Sequence, residues 1–218
     1  MSFDLELQKN PYRGLYVAIE GIDGSGKTTQ VKKLAERFEA KGTSVVQTRE
    51  PRNEGVVGGL IRKILRGELK VPLIALQYLY SADRAIHHEE VIIPALRNGK
   101  VVVSDRCFWS AIPYGILDRG EDYDMEDGDL LLVSQGILSM YHQFIVPDET
   151  FYLQISLETA LRRISKEKAK EIYEDKAKLR KIIKGYEWLV RKFPKAITVI
   201  DGEKKVEEVT AEIVASIK

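Results

Sequence analysis

An open parallel α/β sheet with helices on both faces is the fold this sequence predicts, and three observations predict it. Five short runs rich in β-branched or aromatic residues alternate with segments of helical periodicity. The first strand-to-helix junction carries a glycine-rich loop, Gly21-Ile22-Asp23-Gly24-Ser25-Gly26-Lys27-Thr28, which satisfies the P-loop pattern GxxxxGK[ST]. Gly21, Arg49, Asp105 and Asp201 all fall where a predicted strand ends, the carboxyl edge at which such sheets bind ligands.

Each element has its own warrant. Residues 14–20 hold the apolar run from Leu15 to Ile19, and 26–41 carry Val31, Leu34, Ala35 and Phe38 at helical spacing before Gly42. A second strand is expected at 44–48, then helices at 55–66 and 73–97. Pro94 should kink or split the latter, and Asn98-Gly99 should end it. Val101-Val102-Val103-Ser104-Asp105 reads as a buried strand, placed at 100–104, that runs into a carboxylate. Helices at 128–143, 157–171, 174–192 and 204–217 and strands at 150–155 and 196–200 complete a chain expected to form one domain, 1–218.

Bulk properties exclude several classes. Thirty-four Lys and Arg against thirty-three Asp and Glu leave a net charge of +1, so the basic footprint of a duplex-binding protein is missing and polymeric nucleic acid is not expected as a partner. One cysteine, Cys107, forms no internal disulfide, and neither a signal-peptide core nor a membrane-length apolar run is present. A soluble cytoplasmic protein is expected. The acidic stretch 118–129 fails the EF-hand register, because position six counted from Asp122 is Asp127 and position twelve is Val133. His87, His88 and His142 have no metal spacing and read as helix-surface residues.

The P-loop predicts a polyphosphate cradle. Its glycines turn backbone N–H groups inward, Lys27 reaches the β- and γ-phosphates, the Thr28 hydroxyl suits Mg²⁺, and the helix from Thr29 adds the positive end of its dipole. Asp105 would sit near the metal beside that loop. Arg106 and Arg49, at neighbouring strand ends, suggest a second phosphate site, because a planar guanidinium matches phosphate oxygens. Leu76, Tyr80 and Arg84 recur every four residues on one helix face, which alone fits core packing with a surface arginine better than a base site. From Arg162 to Lys192 twelve basic residues face five acidic ones, either a solvated helix surface or a lid that brings Lys166, Lys168 and Lys170 onto a transferring phosphoryl group.

The run Ile19 to Gln30, then Thr48-Arg49-Glu50-Pro51, then Asp105-Arg106 followed by Ser110 and Tyr114, resembles the thymidylate kinase family in order across nearly the whole chain. Val146 to Leu153 is similar to that family's fourth-strand entry, and Tyr173-Glu174 to the end of its lid. The resemblance implies a P-loop kinase with a small helical lid near 162–174 that phosphorylates dTMP to dTDP with ATP and Mg²⁺, as a homodimer. It implies that Asp23 approaches the sugar 3′-OH and the metal, that Arg49 and Arg106 hold the acceptor phosphate with Ser110 beside them, and that Tyr80 stacks on thymine. It gives Arg84 the base O4 and Tyr114 the space at the sugar 2′ position. Gly24 stands where one subgroup carries an arginine, so the catalytic cations are assigned to the lid lysines. Cys107 and Ala111 depart from the usual residues after Asp-Arg, and Cys107 reads as structural. Two alternatives are a P-loop kinase for another nucleotide or small acceptor, which has no use for Tyr80 with Arg84, and a non-catalytic ATP-binding regulator, which has no use for three lid lysines.

Overall fold

Residues 7–117, 134–141, 143–164 and 175–217 are described in the computed structural model of the chain. Strands β1 (Tyr16–Glu20), β2 (Val45–Arg49), β3 (Val101–Asp105), β4 (Glu149–Gln154) and β5 (Thr198–Asp201) form one parallel sheet in the order β2-β3-β1-β4-β5. The chain therefore departs from a central β1 in both directions, which opens a crevice at the carboxyl end of β1 and β3. The helices among the described residues are α1 (Lys27–Glu39), α2 (Val56–Leu65), α3 (Leu73–His87), α4 (Ile93–Arg97), α5 (Ala111–Leu117), α6 (Leu157–Arg163), α7 (Lys176–Lys192) and α8 (Val206–Ser216), together with a helical stretch at 134–138.

The alternation of side chains along each strand divides the core into two layers. Val17 and Ile19 of β1, Val101 and Val103 of β3, and Phe151 and Leu153 of β4 pack with Val31 and Leu34 of α1 and Val209 and Ile213 of α8. Tyr16 and Val102 face the opposite way, onto Ile92, Ala95 and Leu96. Ala18 and Tyr152 share that second face and pack against α2, α3, α5 and α7. The same parity decides where the charged strand ends point. Asp105 continues the α1 side of β3 and reaches Thr28, whereas Glu20 continues the Tyr16 and Ala18 side and reaches α7.

One expectation is borne out and two are corrected. The helix over 73–97 is split as expected, into α3, a π-helical turn at His88–Ile92, and α4. Pro94 has no N–H to give, and the wider turn before it absorbs the lost bond. The helix expected over 128–143 ends early: residues 134–138 are helical, and i→i+3 bonds from Met140 to Ile137 and from Tyr141 to Leu138 tighten the chain into turns. Helix α6 stops at Arg163, with Ile164 in extended conformation, short of the expected 171. Residues 118–129, His142, and 165–174, which include the lid positions, lie outside the described residues.

The backbone just before β1 tolerates no side chain. A Cβ at Gly14 would lie 2.4 Å from the Lys100 carbonyl oxygen and 2.7 Å from Leu96 Cα, because the chain here donates its N–H to Leu96 O at 3.0 Å. Gly14→Ala is expected to destabilise the fold by about 1–3 kcal/mol through overpacking against main chain. A fall of several degrees in Tm by calorimetry checks this, and an unchanged Tm contradicts the contact.

Candidate active site

The crevice beyond β1 and β3 is a cavity of about 770 Å³. It is lined by Asp23, Gly24, Gly26, Lys27, Thr28 and Thr29 of the P-loop, by Tyr80 and Arg84 of α3, and by Arg49, Asp105, Arg106, Ser110 and Tyr114. Thirteen residues singled out from sequence thus line one space. Gly21, Ile22 and Ser25 are the buried underside of the loop rather than its surface. Lys166, Lys168 and Lys170 lie outside the described residues.

Positive φ at Gly21, Gly24 and Gly26 shapes the cradle, and Gly26 caps α1 in the left-handed region that only glycine enters freely. Gly24 carries a second constraint, since a Cβ there would stand 2.8 Å from the carbonyl oxygen of Ala160 in α6. An arginine at this place in the loop would drive into the α6 backbone, which accounts for glycine here. Lys27 is buried and donates to Ile22 O at 2.9 Å, with Asp23 Oδ1 at 3.7 Å. Burial and the nearby Arg106 lower the Lys27 pKa. Burial works to raise the Asp23 pKa, but the charges of Arg106 and Lys27 outweigh it and hold the carboxyl below its ordinary range.

Thr28 Oγ1 donates to Asp105 Oδ2 at 2.6 Å, while Asp105 Oδ1 is buried without a hydrogen-bond partner. A hydroxyl and a carboxylate with a spare oxygen are hard donors suited to Mg²⁺, so these two residues fit the metal they were assigned. Among the described residues no group of three or more His, Cys, Asp or Glu side chains could hold a metal by itself. Such a pair fits an ion that arrives with phosphate oxygens.

Arg106 is the most engaged side chain of the site. Its Nη2 donates to Asp23 Oδ1 at 2.7 Å and Tyr114 OH at 2.8 Å, its Nη1 donates to Gly21 O at 2.9 Å, and the guanidinium lies 4.9 Å from the Tyr114 ring centre. Its φ of 77° is a conformation that costs a non-glycine residue free energy. Arg49 ends β2 opposite Asp105 on β3, and its buried Nε has no hydrogen-bond partner.

Arg84 overturns one reading of the α3 stripe. Arg84 is 5% exposed rather than a surface arginine: Nε donates to Glu50 Oε2 at 2.6 Å, the guanidinium sits 4.5 Å over the Tyr141 ring, and Nη1 has no hydrogen-bond partner. Glu50 is itself buried. Burial alone would raise its pKa, but Arg84 and His87 pull it down to about 2. His87 and His88 are also not surface residues, at 0% and 3% exposure. His87 is held between Glu50 Oε1 at 3.2 Å and Thr48 Oγ1 at 2.6 Å; His88 lies 5.0 Å from the Phe144 ring and 6.3 Å from that of Tyr16. Residues 84 and 87 share a face of α3, so the stripe that carries Leu76 and Arg84 inward carries His87 with it. Cys107 is buried, and burial with the adjacent Glu20 raises its thiol pKa well above normal, in keeping with a structural role.

Several lining residues had no place in the sequence reading of the cavity. Arg62 and Leu65 of α2 with Arg66 just after it, and Arg163 and Ile164 at the end of α6, also line it. The helical periodicity of 55–66 brings 62, 65 and 66 onto one side, the only signal available for them. Asp201 does not join: it accepts the N–H of Glu203 at 3.0 Å and shapes the turn after β5.

Residues 19–213 match the thymidylate kinase family. The chain is 35% identical over 213 residues to a probable thymidylate kinase of Pyrococcus horikoshii, covering 94% of this chain and 97% of the relative. It is 36% identical over 203 residues to a thymidylate kinase of Pelotomaculum thermopropionicum, covering 88% and 87%. A solved structure of thymidylate kinase from Candida albicans has the same fold, with a TM-score of 0.79 at 24% identity over 94% of this chain and 92% of that one.

The burial of His88 sets a pH dependence. Burial lowers its pKa from 6.5 to about 4, so the unfolded chain binds a proton that the folded chain refuses between those values. Stability contributed by neutral His88 is full above about pH 6.5 and is lost as pH falls toward 4. His88→Phe, which keeps the ring packing, should flatten the denaturant-measured stability profile over that window; an unchanged slope contradicts the assignment.

Proposed function

The chain belongs to the thymidylate kinase family, and from that premise and the site just described we propose that it transfers the γ-phosphoryl group of ATP to dTMP, giving ADP and dTDP. It is a phosphotransferase of the nucleotide-kinase type; the identity of donor and acceptor is the proposal. The observation that carries it is that the P-loop and the Tyr80 and Arg84 pair line one cavity, with Lys27 and Arg106 both set against Asp23.

The chemistry asks little beyond placement and charge. A nucleoside monophosphate has a second phosphate pKa near ~6, so it is already a nucleophilic dianion at neutral pH and no general base is needed. One of its oxygens attacks the γ-phosphorus, the bond to the β,γ-bridging oxygen breaks, and that oxygen leaves with ADP. In this proposal Gly21 to Thr29 cradle the donor phosphates and Lys27 follows the transferring group. Arg106 and Arg49 hold the acceptor phosphate with Ser110, and Asp23 meets the sugar 3′-OH. Tyr114 fills the space where a ribose 2′-OH would lie. Thr28 and Asp105 would hold Mg²⁺, which neutralises phosphate charge when bound. Lys166, Lys168 and Lys170 supply the lid cations, a role favoured by the steric exclusion of arginine from position 24.

Tyr80 stacks on thymine in this account, and Arg84 donates to its O4. The support is the buried Arg84, whose Nε is fixed by Glu50. A homodimer and a cytoplasmic location are further parts of the proposal. Ile74 and Tyr78, one turn apart on α3 and 53% and 64% exposed, offer an apolar face for the former. Among the described residues no helix is long and apolar enough to cross a membrane.

Two measurements test the proposal. Lys27→Ala should lower kcat by roughly a hundredfold or more, the scale for loss of one preorganised electrostatic donor; near-normal turnover in the folded variant contradicts the kinase mechanism. Arg84 has donors only, so it suits O4 of thymine and is mismatched to the cytosine amino group. The expected order of kcat/KM is dTMP above dUMP above dCMP. The dUMP deficit is limited to about 1–3 kcal/mol because only a methyl contact is lost. Arg84→Ala should collapse the dTMP to dCMP ratio. Equal use of both by the wild type, or an unchanged ratio in the variant, favours a kinase for another nucleotide.

A further inference from the structure

Glu20 closes β1 with its side chain fully buried, and nothing in the reaction as set out above uses it. Five donors converge on its two oxygens. Oε1 accepts the backbone N–H groups of Cys107 at 2.9 Å and Ser110 at 3.2 Å, and the Cys107 thiol at 3.3 Å. Oε2 accepts the Ser110 hydroxyl at 2.6 Å and the Tyr186 hydroxyl, from α7, at 2.8 Å. These contacts tie down the chain on the C-terminal side of Arg106. On the other side Arg106 N donates to Ile19 O at 2.9 Å.

The direction of the hydroxyl protons follows from the carboxylate. An ionised carboxylate only accepts, and each hydroxyl has one proton. With both protons turned toward Glu20, Ser110 and Tyr186 present lone pairs to Arg106 Nη1, which stands 3.3 Å from each. The guanidinium is thus met by four oxygen acceptors in addition to the Asp23 carboxylate: Gly21 O, Ser110, Tyr186 and Tyr114. An amide in place of Glu20 would offer a proton to one of these hydroxyls and turn its proton toward the arginine.

We propose that Glu20 and Tyr186 are positioning residues for Arg106, the carboxylate orienting the Tyr186 and Ser110 hydroxyls so that the guanidinium is held in one pose for the acceptor phosphate. The role of Arg106 in acceptor binding rests on the function proposed above; its restraint by Glu20 and Tyr186 does not. The arrangement also explains how a non-glycine residue keeps a left-handed backbone at this point, since both flanks are fixed by buried bonds.

Tyr186→Phe is the cleaner variant, because its ring is stacked on Tyr152 at 4.7 Å and 14° and only the hydroxyl is lost. Glu20→Gln is the isosteric companion. Both are compared with wild type in full-length protein, with thermal unfolding to establish that each is folded. The Arg106 guanidinium is followed by side-chain NMR, assigned with Arg106→Lys. Wild type should show restricted rotation of that guanidinium without any nucleotide, and Tyr186→Phe should show it released. In steady-state assays Tyr186→Phe should lose roughly tenfold or more in kcat/KM for dTMP, mainly through KM, with KM for ATP within about twofold, the scale for a lost hydrogen bond to a charged group. Arg106 signals in Tyr186→Phe that match wild type overturn the proposal whatever the kinetics, as does an unchanged KM for dTMP in an active enzyme. A wild type that fails to phosphorylate dTMP defeats the functional reading instead, and the arginine signals then decide the positioning role alone.

Discussion

Cations gathered in one crevice repel one another, and the architecture depends on how this chain holds them there. Lys27, Arg49, Arg62, Arg66, Arg84, Arg106 and Arg163 all line the same cavity. Such a cluster stabilises two approaching phosphate chains, but in the free protein it destabilises the fold unless carboxylates stand among the cations. Asp23 serves both Lys27 and Arg106, and Glu50 serves Arg84. Each carboxylate is held by the strand or loop that delivers it, so the cations are placed before substrate arrives and little reorganisation remains at the moment of reaction.

Period-two alternation at the strand ends is what distributes these partners. Asp105 and Glu20 lie at the ends of adjacent strands yet point to opposite faces of the sheet, one to the P-loop helix and the other to the turn before α5 and to α7. The result separates two tasks. The α1 side supplies oxygens suited to a metal, and the α7 side supplies the frame behind Arg106. A register slip of one residue in β1 would turn Glu20 to the α1 face, away from the donors it now meets, and leave its carboxylate buried without them. Position 24 adds a further limit, because α6 crosses so close to the P-loop that only glycine fits there.

Much of this was legible before any coordinates. The P-loop, the run ending in Asp105 and the five parallel strands are local patterns; of the thirteen cavity residues that sequence singled out, most come from the P-loop, strand ends and one helix face, and Ser110 and Tyr114 come from the family resemblance. What failed depended on distance along the chain or on the form of a helix. Glu20 finds its partners 87 to 166 residues away, and no spacing announces that; its signal was a charged residue closing an apolar strand in the parity of Tyr16 and Ala18. His87 and His88 read as surface because polar residues on an amphipathic helix are mostly solvated, whereas here one is hydrogen-bonded to Glu50 and Thr48 and the other packs between rings. The π-helical turn at His88–Ile92 shifts the helix face after His87, a change that periodicity alone does not reveal.

In the proposed reaction one cavity holds a nucleoside triphosphate and a thymidine nucleotide at the same time, with Lys27 and Arg106 between them. The most direct measurement is calorimetric titration with a bisubstrate analogue in which adenosine and thymidine are joined through a polyphosphate chain. The account predicts binding at one site per chain, tighter by roughly a hundredfold or more than ATP or dTMP alone, because the second half binds without further loss of translational freedom. An affinity no greater than that of ATP alone would contradict it, for the two ends would then not share the cavity.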